Sequence, residues 1–126
     1  MSKALMPLFG SMLLLAAPAV LAAELVPLHW DAEGGFHRQT TLRPGQSVEV
    51  CGKLTAQTRV KWSFTTTAPL ESNVHYHEGE RVVFPARHEA RTSHTETLQL
   101  PVDQEYCWMW TNRGGRDAAL ELRLHR

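Results

Sequence analysis

The chain has 126 residues, one domain's worth, and its 13 Lys and Arg balance 13 Asp and Glu. That balance leaves no basic excess for nucleic acid and no polybasic patch for anionic lipid. Seven His and two Cys are the chemically notable residues.

The first 23 residues read as a secretory leader. Lys3 gives a positive start, Leu13-Leu14-Leu15-Ala16-Ala17 an apolar centre, and Ala19-Val20-Leu21-Ala22-Ala23 small residues for cleavage after Ala22 or Ala23. The apolar run is shorter than the about 20 residues that span a bilayer. A domain over 24–126, periplasmic or secreted, with no membrane span after cleavage, is the expectation. Without Lys3 that domain carries 12 basic against 13 acidic residues and all seven His. In an oxidising compartment its two cysteines, Cys51 and Cys107, most simply form one disulfide.

Glu24 to Trp30 predicts an edge strand, because Pro27 cannot donate to a ladder. Asp31 to Gly35 predicts a turn, Phe36 to Leu42 a second strand, and Arg43-Pro44-Gly45-Gln46 a β-turn. Ser47 to Gly52 sets Val48 and Val50 on one face and Cys51 on the other. Thr58 to Thr67 has the clearest period of two: Val60, Trp62 and Phe64 inward, Arg59, Lys61 and Ser63 outward. Ala68-Pro69-Leu70-Glu71 predicts a break.

Asn73 to Glu80 predicts a strand and turn, with Val74 and Tyr76 on one face, His75 and His77 on the other, and Gly79 turning the chain. Arg81 to Phe84 predicts a short strand stopped by Pro85. Ala86 to Thr95 has no period and reads as a loop or a short helix; Thr97 to Leu100 predicts another strand. Glu105 to Asn112 places Tyr106, Trp108 and Trp110 on one face and Cys107 and Met109 on the other. With both faces apolar, it predicts a central strand. Arg113 to Arg116 predicts a hairpin turn. Leu120, Leu122 and Leu124 alternate with polar residues in the last strand.

About eight short strands predict an all-β domain, a two-sheet antiparallel β-sandwich with one disulfide. Cys51, Trp62 and Cys107 resemble the immunoglobulin pattern of a disulfide packed on a Trp. The departure is Tyr106, which is adjacent to the second Cys and so points away from the disulfide. The strand Val60-Lys61-Trp62-Ser63-Phe64-Thr65-Thr66, then Val74-x-Tyr76, Tyr106-x-Trp108-x-Trp110-x-Asn112 and Leu120 to Leu124, is similar to the GOLD domain family. Those domains are β-sandwich modules of cargo receptors and lipid-transfer proteins. The resemblance covers roughly 46–126 and implies a GOLD-like binding module with no catalytic residues.

Same-face residues on a strand are about 6.6 Å apart, so two imidazoles at His75 and His77 can lean onto one ion. They form a candidate half-site for copper(II) or zinc, with His88 or His94 completing it and Glu78 and Glu80 near in sequence. Met109 is the one Met after the leader, which argues against a Met-rich copper(I) site. The cupin metal motif wants its Glu farther from the second His than Glu80 stands, and no G-x-S-x-G elbow occurs, so no enzyme is expected. The expected function is sequestering or transferring a transition metal, with a metal-donor or metal-acceptor protein as partner. The competing reading is a metal-free adaptor that binds a protein or lipid through a sheet face. Converging imidazoles would favour the first, and scattered histidines with an exposed apolar patch the second.

Overall fold

A computed structural model describes residues 2–15 and 23–126. Residues 2–15 hold no regular element, and their large apolar side chains are exposed. The expected cleavage region falls mostly on 16–22, outside the described residues.

Seven strands follow: β1 (Glu24–Pro27), β2 (Gly35–Leu42), β3 (Ser47–Leu54), β4 (Arg59–Glu78), β5 (Arg81–Gln99), β6 (Gln104–Thr111) and β7 (Ala118–His125). Hydrogen bonds join them all into one sheet, in the order β1-β3-β6-β4-β7-β2, with β5 on β4. Every pairing is antiparallel except β1 with β3.

The all-β class and the disulfide are therefore present, in a sheet that curls into a half-barrel. The cause is β4. Its 20 residues give one edge to β5 throughout. The other edge goes first to β7, over Lys61–Thr66, and then to β6, over Glu71–His75. Between these partners lies Pro69, where neither neighbour asks for its missing N–H. The expected break at Ala68–Glu71 is thus a corner inside one strand. Pro85 likewise falls in a register shift of β5, between Val74↔Ala86 and Tyr76↔Val83. The segment Ala86–Thr95, expected as a loop or helix, is the bent middle of β5.

The corner lets the inner faces of the two halves meet. Val60, Trp62, Phe64, Leu70, Val74 and Tyr76 of β4 are buried with Tyr106, Trp108 and Trp110 of β6 and Leu120, Leu122 and Leu124 of β7. Trp62 and Phe64 meet Trp110 edge-on, at 6.1 and 6.0 Å between ring centroids. Offset and edge-to-face pairs of this kind are the favoured aromatic geometries. Gly45 and Gly79 turn the chain at positive φ, 83° and 62°, where a side chain would be strained.

Cys51 and Cys107 are direct cross-strand partners on β3 and β6, joined as a disulfide. They lie on the outer face, opposite Val50 and Trp108. The immunoglobulin expectation of a bridge packed on Trp62 is corrected here: Trp62 is on the other side of the sheet.

Candidate functional site

Residues of opposite parity on β4 serve the two faces. The odd residues Glu71, Asn73, His75 and His77 line an outer groove of about 760 Å³. Glu49 of β3, Met109 and Thr111 of β6, and Val82, Phe84 and Arg87 of β5 complete most of it. Arg113, just past β6, lies at its rim and gives its Nε–H to Glu71 at 2.6 Å.

His75 is the buried centre of this face, 5% exposed. Its Nδ1 lies 2.7 Å from Asn73 Oδ1 and its Nε2 3.1 Å from Glu49 Oε1. Burial holds the imidazole below its ordinary pKa; the Glu49 carboxylate opposes this, and His77 adds to it. Beside it Val82 and Phe84 are exposed, each at 39%. The Arg87 guanidinium stacks over the Phe84 ring at 4.5 Å, a cation–π contact.

The four candidate ligands divide into two pairs. His75 and His77 adjoin, at 5.5 Å between rings, as the strand spacing predicts. His88 and His94 pack 4.0 Å from each other and against Trp62, toward the inner side. Among the described residues, no group of three converging ligands joins one pair to the other. The cause is the path of β5: it runs antiparallel to β4, and its corner turns His88 and His94 onto the Trp62 face, so the four expected ligands stand as two separate pairs. Both nitrogens of His75 already face protein oxygens. Glu78 is in an exposed turn with Arg81, 3.0 Å from its guanidinium.

Sequence reasoning missed Glu96, whose Oε2 accepts from His88 Nε2 at 2.8 Å and His94 Nε2 at 2.9 Å. The available signal was His94-x-Glu96, a same-face spacing on a strand. It also missed Phe84 and Arg87 as an exposed pair, since the intervening Pro85 shift hides their common face.

No protein-family profile and no curated protein sequence matches this chain. Solved structures do. PliG of Aeromonas hydrophila, a periplasmic lysozyme inhibitor of g-type lysozyme, superposes with a TM-score of 0.58 at 13% identity, over 82% of this chain and 96% of that one. PliG of Salmonella Typhimurium, described in the same words, gives 0.57 at 9% identity, over 81% and 96%. The pre-peptidase C-terminal domain of a Bacillus anthracis collagenase gives 0.54 at 8% identity, over 82% and 95%. These similarities establish the fold. A fold shared by a lysozyme inhibitor and a pre-peptidase C-terminal domain does not dictate what either does.

Proposed function

We propose that this chain is an exported, non-catalytic binding domain that docks a periplasmic protein through its outer groove, with a lysozyme as the partner class. The observation that carries the reading is the Phe84–Arg87 pair, half-exposed on a β-ribbon beside a concave, polar-rimmed surface. Aromatic and Arg side chains are the residues that anchor protein interfaces. The rim of Glu49, Glu71 and Arg113 suits a protein surface better than an acyl chain. The neighbours named as periplasmic inhibitors support the partner class, and their near-full overlap supports a stand-alone module. Export is supported by the leader pattern and by the disulfide.

The test is inhibition of a g-type lysozyme by the disulfide-oxidised protein, with calorimetry alongside. Saturable inhibition is expected. Phe84→Ala and Arg87→Ala should each weaken binding about 30-fold, as loss of a 2 kcal/mol anchor does. A lysozyme that is neither bound nor inhibited at high micromolar concentration removes the lysozyme reading. Full inhibition by both variants places the contact elsewhere on the domain.

A further inference from the structure

His94 stands six positions beyond His88, and a straight strand would hold them about 20 Å apart. Their rings lie 4.0 Å apart. The corner of β5 makes the difference: its pairing with β4 steps from Ser72↔His88 to Leu70↔Arg91 to Thr65↔Ser93. Residues 89–93 swing into solvent and His88 comes to face His94. Glu96 stands two residues beyond His94, opposite Trp62 in the ladder. One of its oxygens accepts from both imidazoles, at 2.8 and 2.9 Å. The ligand atoms of the three residues all lie within 4.8 Å of one another. The Trp62 ring backs the cluster, 5.9 Å from His88 and 5.1 Å from His94. The three side chains are 15–26% exposed, which leaves a path for a small ion.

We propose that His88, His94 and Glu96 form a binding site for one divalent transition-metal ion, with zinc as the reference. Two imidazole nitrogens and one carboxylate oxygen are a ligand set for borderline cations, and a solvent molecule completes a tetrahedron. Calcium and magnesium favour oxygen-only sets. The ion would clip the two arms of the β5 corner together. His88 also lines the outer groove, whereas His94 and Glu96 do not, and the site does not depend on the partner proposed for that groove.

Metal binding at Nε2 requires each imidazole to carry its proton on Nδ1. For His94 this meets a competitor. Arg91 donates from its Nη1 to His94 Nδ1 at 3.1 Å, which favours the tautomer with Nε2 protonated. Its charge also repels a cation. Arg91 is exposed, so its removal should strengthen the site without disturbing the core. The rival explanation is that inward charged side chains merely protect an exposed edge strand from pairing with other chains.

Zinc calorimetry and cobalt(II) absorption on the disulfide-oxidised protein separate the two. The expected result is one ion per chain, micromolar or tighter, with the intense visible bands of four-coordinate cobalt. Glu96→Gln and His94→Gln should each weaken binding by about tenfold or more, as loss of a ligand demands. Arg91→Ala should strengthen it several-fold, and His77→Gln should leave it unchanged. The last two sit at exposed positions, so they remain informative if the ligand variants loosen the corner. Binding below one equivalent, binding that survives Glu96→Gln and His94→Gln, or binding lost in His77→Gln overturns the proposal.

Discussion

Asn112→Ala should cost this domain about 3 kcal/mol. The side chain is fully buried and makes three hydrogen bonds. Its Nδ2 donates to Leu42 O at 2.9 Å and to Arg116 O at 2.8 Å, and its Oδ1 accepts from Gly114 N–H at 2.9 Å. Its own backbone bonds the preceding turn: Asn112 N–H donates to Gln46 O, and Gly45 N–H donates to Asn112 O. The residue thus ties the β2–β3 turn to the β6–β7 connection that presents Arg113 at the groove; this connection crosses over β4 and is not the hairpin that Arg113–Arg116 suggested, because β6 and β7 lie on either side of β4. Truncation leaves the buried Leu42 carbonyl unpaired, at about 2 kcal/mol. The two partners in the β6–β7 connection are nearer solvent, and water repairs them in part, at about 0.5 kcal/mol each. For a domain of this size the sum lowers Tm by roughly 15 °C. Urea denaturation and calorimetry of the oxidised protein would read it. Asn112→Asp tests the direction of the bonds: it turns a double donor into an acceptor facing two carbonyls. It should be worse than alanine at neutral pH and recover as acid protonates the new carboxyl. A loss below about 1 kcal/mol for alanine, or an aspartate variant as stable as wild type, would refute the assignment of these bonds.

Replacing Cys51 and Cys107 together by Ala should cost about 4 kcal/mol, since the bridge closes a 56-residue separation; equal urea midpoints for oxidised protein and variant would contradict this. Trp62→Ala should cost about 3–5 kcal/mol, whereas Trp62→Phe should cost far less, because the buried Trp62 Nε1 has no hydrogen-bond partner among the described residues. A Trp62→Phe variant as destabilised as Trp62→Ala would contradict this. His75, with a folded pKa below its unfolded value of about 6.5, binds its proton more readily in the unfolded chain. Its contribution is full above that unfolded value and is lost as pH falls through the folded one, so His75→Gln should flatten the acid limb of a stability–pH curve. An unchanged acid limb would place the proton uptake on other groups.

The alternating segments were legible because burial on one face imposes a period of two. Trp62 and Phe64, Trp108 and Trp110, Leu122 and Leu124 all sit inward as their spacing demands. The disulfide was legible from compartment and count. The two long strands were not. Pro69 reads as a breaker locally, and only the hand-over of β4 from β7 to β6 shows that its N–H is not needed there. The period of β5 fails over Ala86–Thr95 because each register shift changes which side the next residue takes. The similarity to GOLD domains rests on the same inward aromatics. It speaks to packing, and any two-layer β fold can meet that requirement.

The candidate site follows the same logic. His75 and His77 are neighbours through local strand geometry, so sequence placed them correctly relative to each other. Their relation to His88 and His94 is set by the β4–β5 pairing and its shifts, which no local pattern encodes. A hairpin whose strands ran straight would carry His88 and His94 far apart along one edge, and only His94 would find Glu96. The bend that curls the sheet is what gathers them. It also exposes Phe84 and Arg87 on the reverse side of the ribbon, with Arg87 and His88 adjacent in the chain. One corner, permitted by Pro69 and by the change of partner along β4, therefore generates both features: an ionic cluster over Trp62 and a groove around His75.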